Sequence, residues 1–249
     1  AVACGEPGKS GEVRLVHFDT GEVVGVVARS NDVALDVAFQ PSSDTLAVAS
    51  ADGLIRMIDW QTQEEIRTIA SHADWVTAIA WSEDGSRLVS ASRDKSAKVY
   101  DGSTGELLTS YLGHDAAVRG VTILSDAKQV VSFGADGKLH RWNISDAQKV
   151  AEVEIGQEGY KIIRDGNNVF VPCVDHRLLR VDLASNSIVQ EFKGHADWVL
   201  SATLRGSAGE GNGAQGMEAT VVASGSFDGE LRLWNVSDGS LLQCWMAKP

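Results

Sequence analysis

Apolar and polar residues alternate over short spans along most of this chain, and clusters of turn residues separate the spans. Within residues 29–70 the spans read "VALDVAF", "TLAVAS", "LIRMI" and "EEIRTIA", divided by "QPSSD", "ADG" and "WQTQ". Alternation at a period of two, broken by Gly, Pro, Asp and Ser, marks half-buried strands joined by tight turns. No window of helical length carries a 3.6-residue apolar stripe, so an all-β protein is expected.

The pattern repeats. "GEVRLVHFDTGE" at 11–22 and "GELRLWNVSDGS" at 229–240 share one register, and aligning the rest on Trp234 gives Val16, Ile58, Tyr100, Trp142 and Val181 as its equivalents. Successive spacings are 42, 42, 42, 39 and 53 residues. Six residues before these anchors stand Ser10, Asp52, Asp94, Asp136, Asp175 and Asp228, and in four of the six a glycine follows, which predicts tight hairpins. Units of about 40 residues with four short strands are the blades of a β-propeller. The expected units are 1–28, 29–70, 71–112, 113–154, 155–193 and 194–249, in one domain. The last is the longest, with its surplus in a glycine-rich insertion at 205–217 that is expected to be a flexible loop. The first begins at "AVACG", which aligns with a second strand, so its innermost strand is lacking and the strand total comes to 23. Such an inner edge invites pairing, so an upstream segment or a partner strand is expected to complete the blade. This predicts the C-terminal part of a longer chain, a seven-bladed propeller without its beginning.

"GHDAAVRGVTI" with "GADGKLHRWN", "GHADWVLSATL" with "SGSFDGELRLWN", and "SHADWVTAIAW" with "SASRDKSAKVYD" together resemble WD repeats, and the resemblance covers practically the whole chain. Val16, Ile58 and Val181 depart from the family's tryptophan, so their blades are degenerate. The resemblance implies a hydrogen-bonded tetrad inside each regular blade: His72, Ser90, Asp94 and Tyr100; His114, Ser132, Asp136 and Trp142; His195, Ser224, Asp228 and Trp234. A buried carboxylate is costly unless donors satisfy it, and the imidazole and hydroxyl supply them. It also implies a non-catalytic scaffold that binds a protein or peptide on its narrower face. The pentapeptide "HADWV" occurs at 72–76 and at 195–199. By the family pattern Trp75, Ala117 and Trp198 lie on the rim of that face, with Thr77, Arg119 and Leu200 two positions on. Arg93 and Phe227, each preceding a turn aspartate, point the same way. Tryptophan and arginine dominate interface hot spots, and Asp74 and Asp197 suit a basic or polar partner surface.

Three sharper chemistries are weighed and set aside. "ACGEPGKSG" at 3–11 resembles a phosphate loop, but "EVRLVHF" continues as a strand where a phosphate loop needs a helix N-terminus behind its glycines. It is expected to be an enlarged hairpin turn between a second and a third strand, with Ser10 and Gly11 in the places of Asp228 and Gly229. His, Ser and Asp are the residue types of a nucleophilic triad, but their threefold recurrence points to architecture, so no catalytic residue is assigned. No metal is assigned either, because each tetrad histidine belongs to a separate blade and His17, His140 and His176 have no ligand spacing.

Composition narrows the partners. The chain has 249 residues, with 22 Lys and Arg against 34 Asp and Glu, a net charge of -12. This opposes nucleic-acid binding, which rests on basic side chains that displace counterions. Cys4, Cys173 and Cys244 form no CxxC pair, and no disulfide framework, zinc site or cofactor is expected. No apolar run reaches membrane-spanning length, so no membrane insertion is expected, and neither an initiator methionine nor a signal-like segment opens the chain. "CGEPGKSGEVRL" followed by degenerate repeats is similar to the C-terminal propeller of bacterial fusion proteins, notably planctomycete ones, that carry a c-type cytochrome upstream. That kinship implies an accessory role in electron transfer and an extracytoplasmic, periplasmic location, with the haem outside this chain; without it the location would be cytoplasmic. A propeller hydrolase is the remaining alternative, and no unrepeated acid–base pair supports it.

Overall fold

The computed structural model describes residues 1–205 and 220–247, which hold 23 strands in six antiparallel sheets and no α-helix. The first sheet has three strands, β1 (Val2–Glu6), β2 (Ser10–Val16) and β3 (Val23–Ser30). The second is β4 (Ala34–Phe39), β5 (Thr45–Ser50), β6 (Ile55–Asp59) and β7 (Glu64–Ile69). The third is β8 (Val76–Trp81), β9 (Arg87–Ser92), β10 (Ala97–Asp101) and β11 (Leu107–Tyr111). The fourth is β12 (Val118–Ile123), β13 (Gln129–Gly134), β14 (Lys138–Asn143) and β15 (Lys149–Glu154). The fifth is β16 (Ile163–Asp165), β17 (Asn168–Pro172), β18 (Arg177–Asp182) and β19 (Ser187–Lys193). The sixth is β20 (Val199–Arg205), β21 (Val221–Ser226), β22 (Glu230–Asn235) and β23 (Leu241–Met246). Every sheet is a meander in sequence order, the make-up of a propeller blade. Apart from Arg205, the glycine-rich insertion expected at 205–217 lies outside the described residues.

The anchor positions share one register. Ile58, Tyr100, Val181 and Trp234 pair inward with Leu46, Leu88, Val169 and Val222, and outward with Glu65, Leu107, Ile188 and Leu241. Val16 keeps the outward half of the rule, opposite Val23. The hairpins before the third strands are set by the turn aspartates: Asp52 accepts from the Leu54 N–H, Asp94 from Ser96 and Asp228 from Glu230. Gly53 and Gly229 sit at φ +80 in these turns, where a side chain would be strained, and Lys95 adopts φ 71 in the third sheet.

The chain divides into two compact units, residues 1–134 with 141–150, and residues 135–140 with 151–249. In the first unit Val13 and Val27 pack against Leu46, Val48 and Ile58. The far side of the second sheet, with Ile55 and Ile69, packs against Ile79, Leu88 and Tyr100. Ala97 and Tyr111 of the third sheet then meet Val121, Val130 and Trp142. In the second unit Phe170, Leu178 and Phe192 meet Val222 and Trp234. Thus the outer pair of one sheet is covered by the anchor of the next: Tyr111 stacks on Trp142 with centroids 4.8 Å apart, and Phe192 lies 5.9 Å from Trp234.

The segment "GEPGKSG" is a hairpin between β1 and β2, as the sequence leads one to expect, but it is enlarged differently. Gly5 pairs with Gly11 and Glu6 with Ser10, so Ser10 and Gly11 belong to the ladder and the turn itself is Pro7–Lys9. The paired glycines have a packing reason. A Cβ on Gly11 would stand 2.2 Å from the Asp32 carbonyl oxygen, and one on Gly5 2.4 Å from that of Ser10. The Gly8 N–H donates to the Asp32 carboxylate at 2.8 Å and the Lys9 ammonium pairs with Glu6, so carboxylates already take the donors a phosphate would need.

Candidate functional site

Two of the three expected tetrads can be followed from end to end. In the sixth sheet the Trp234 Nε1–H donates to Ser224 Oγ at 2.8 Å, Ser224 Oγ lies 2.8 Å from His195 Nε2, and His195 Nδ1 lies 3.0 Å from Asp228 Oδ2. With Asp228 ionised the donors run one way, from indole to hydroxyl to imidazole to carboxylate. In the third sheet His72 Nδ1 lies 2.8 Å from Asp94 and its Nε2 2.6 Å from Ser90. The shorter Tyr100 stands in for the indole, and its hydroxyl is 2.5 Å from Ser71 Oγ. Ser71 occupies the position of Gly113 and Gly194 in the other His loops, so the change to tyrosine is matched by a serine that reaches it. In the fourth sheet His114 Nε2 and the Trp142 indole both meet Ser132 Oγ, at 2.9 and 3.1 Å, while Asp136 accepts from the Lys138 N–H.

The serine–histidine–aspartate geometry is that of a nucleophilic triad, but accessibility separates the two. Ser90, Ser132 and Ser224 are buried, and in the fourth and sixth sheets an indole N–H already binds the hydroxyl. An acyl donor could not approach. Titration behaviour fits a fixed strut. Burial pushes the His72 imidazole down, and it outweighs the opposing pull of Asp94. Burial also pushes the Asp94 carboxyl up, yet donors from Ser96, His72 and the Ala73 N–H together hold it well below the usual carboxylate range. Asp228 follows the same logic: burial raises it, while the Ala196 and Glu230 N–H groups and His195 prevail and bring it down to about 2.

His195, Asp228 and Glu230 also bring potential metal-ligand atoms within 4.8 Å of one another, a cluster that sequence spacing did not reveal. Each is already engaged, His195 Nδ1 with Asp228 and Glu230 with Arg232, so a cation would have to displace the contacts that hold the sheet. Sequence reasoning also missed how the degenerate sheets hold their turn aspartates. Arg56 donates to Asp52 from both terminal guanidinium nitrogens, at 2.7 and 3.3 Å, and Arg177 pairs with Asp175 and, at 2.7 Å, with Glu191. Val48 and Val171, both buried, replace the tetrad serine. The arginine stands two or four residues after the turn aspartate, but Arg232 stands four after Asp228 and binds Glu230 instead, so this spacing alone gives no signal.

The two HADWV loops are built alike. Asp74 Oδ1 accepts the Trp75 N–H and Asp197 Oδ1 the Trp198 N–H, each at 2.7 Å. The Trp75 carbonyl accepts the Arg93 N–H, and that of Trp198 the Phe227 N–H, each at 2.9 Å. The next valines, Val76 and Val199, are buried and pin the loop, so both indoles stand at the surface. Arg93 lies over Trp75, 4.5 Å from the ring centroid, and its Nε is 3.8 Å from Asp74. Phe227 meets Trp198 edge to face at 6.0 Å. Thr77, Arg119 and Leu200 each sit where the ladder register shifts on an innermost strand, between Val76 and Ala78, Val118 and Gly120, and Val199 and Ser201. Such a bulge re-aims the extra side chain. The thiols of Cys4, Cys173 and Cys244 are free, and burial pushes that of Cys173 up to about 12. No helix among the described residues is long and apolar enough to cross a membrane.

The family model described as "WD domain, G-beta repeat" matches residues 22–59, 63–101, 105–143 and 186–235, well over half of the chain. The chain belongs to the WD-repeat family, and its fold is that of a β-propeller. Each match starts on or just before the outer strand of one sheet and ends on the third strand of the next, as 63–101 runs from β7 through β10. Residues 144–185, which contain most of the fifth sheet with its Arg177–Asp175 pair, fall between matches. Among solved structures the chain is similar to the computationally designed Ika8 protein, with a TM-score of 0.75 and 22% identity over 98% of this chain and 70% of that one. That likeness is one of fold. No curated protein matches the chain, so the similarity to cytochrome-bearing fusion proteins gains no support.

Proposed function

We propose that this protein is a non-catalytic docking platform that binds a protein or peptide through its narrow face, with Trp75, Trp198, Arg93, Arg119, Phe227, Asp74 and Asp197 as the contact residues. WD-repeat domains generally mediate protein interactions, and one observation carries the finer reading: the same loop is built twice to hold a tryptophan at the surface. Trp75 and Trp198 are 37% and 45% exposed, so each loop forgoes part of the roughly 1.5–3 kcal/mol that full burial of a large apolar side chain is worth. Arginine, tryptophan and phenylalanine around a rigid main chain supply contact area with little entropy to lose on binding. The tetrads supply rigidity, and their buried serine hydroxyls are engaged within their own sheets.

The test is affinity capture from the native source, comparing the wild-type chain with a Trp75→Ala, Trp198→Ala double variant whose thermal unfolding matches it. The expected result is loss of a defined partner from the variant alone. Equal recovery of every partner by both proteins would remove the indoles from the binding surface.

A further inference from the structure

The two HADWV loops differ in the residue that stands against their tryptophan, and the difference specifies a ligand. At Trp75 the chain provides its own cation: Arg93 lies over the indole face at 4.5 Å and reaches towards Asp74. At Trp198 the equivalent position is Phe227, whose main chain is held by the same 2.9 Å bond to the tryptophan carbonyl. Phe227 keeps the aromatic wall but brings no charge. Trp198 and Phe227 are 45% and 64% exposed, and among the described residues Asp197 takes part in no ion pair and no cation lies over the Trp198 ring.

We infer that the Trp198 loop receives an arginine side chain from a partner protein, seated against the indole and paired with Asp197, in the place that Arg93 fills over Trp75. A planar guanidinium suits the site because it can stack on an indole and donate to a carboxylate in one plane, which a compact ammonium cannot do. Phe227, edge-on to Trp198 at 6.0 Å, forms a second wall. The net charge of -12 draws such a group in. The inference rests on the docking role proposed for these loops and adds the chemistry of the incoming side chain.

The experiment follows the indole N–H resonances of the intact protein, with Trp198 assigned through Trp198→Phe, during titration with the peptide acetyl-Gly-Arg-Gly-amide and its lysine and citrulline counterparts. The arginine peptide is expected to shift Trp198 saturably at millimolar concentration and to leave Trp75 in place. Asp197→Asn should weaken this binding about two- to fivefold, the range of one exposed ion pair. Phe227→Arg should close the site with an internal guanidinium, and Arg93→Phe should open an equivalent one at Trp75. A Trp198 signal that does not move, or that moves equally with the lysine or citrulline peptide, would overturn the inference. If the arginine peptide binds but the double tryptophan variant still captures every partner, the docking role fails and the guanidinium site stands. If capture is lost and no peptide binds, the guanidinium inference alone fails.

Discussion

In the fifth sheet Leu178 and Phe192 face each other across β18 and β19 and are wholly buried; in the sixth, Leu231 and Trp245 occupy the same register and remain 36% and 41% exposed. The contrast reverses at the turn. The sixth sheet has the complete chain from Trp234 to Asp228, whereas the fifth holds Asp175 with Arg177 and has Val171 where the serine would be. One sheet is therefore secured chiefly by apolar cover and the other by a polar strut. The strut fixes the loop before the first strand to the hairpin before the third, a task burial alone does not do, since dispersion is non-directional.

The largest break in this contrast should come from Phe192→Ala, which opens a cavity against Phe170 and Trp234 and should cost about 3–5 kcal/mol in chemical denaturation. A loss below about 1 kcal/mol would mean that the fifth sheet does not depend on its cover. Next, Asp228→Ala strips the acceptor from the His195 imidazole and the Ala196 N–H and should cost about 1–3 kcal/mol.

The same carboxylate predicts a pH dependence. Its folded value of about 2 lies below the unfolded value near 4, so its contribution is complete above about pH 4 and fades as pH falls towards 2. The denaturation midpoints of wild type and Asp228→Asn should therefore converge over that interval, and a constant gap would assign the effect to something other than the charge. The smallest effects sharpen the comparison from its other side. Trp245→Ala should cost less than about 2 kcal/mol, because the 41% exposed side chain loses only partial cover. Arg177→Met should cost about 0–1 kcal/mol, since its ion pairs keep access to solvent. Calorimetric melting of both variants would show whether either exceeds its bound.

Much of this organisation is legible in the sequence because anchors and turn residues answer to local rules. A strand of alternating pattern followed by Asp and Gly fixes a hairpin wherever it occurs, and the anchors Ile58, Tyr100, Val181 and Trp234 keep one register although only one is tryptophan. The three-stranded first sheet follows from the same alignment. What escapes is non-local. "LLQCWM" has the make-up of a covered outer strand, and nothing in its order of residues says that Trp245 stays partly exposed. The glycine at position 11 answers to the approach of the Asp32 carbonyl, which lies in the link between β3 and β4. For the rim, the repeated pentapeptide marks Trp75 and Trp198, but the placement of Arg93 over the first indole is visible only in three dimensions.

The stagger between family matches and sheets has a consequence for how such a chain can change length. The seam between repeats falls inside a sheet, at the turn leading to its outer strand, and the anchor-to-outer-strand register is common to the sheets, Ile58 with Glu65 as Tyr100 with Leu107. Excising one 42-residue period between Ile58 and Tyr100 would hand β11 the hydrogen-bonding role of β7 and take no strand from any remaining sheet. Copy number can thus drift by whole modules without a frayed join, and a shortened chain that lost cooperative unfolding would show that the modules are less interchangeable than their ladders.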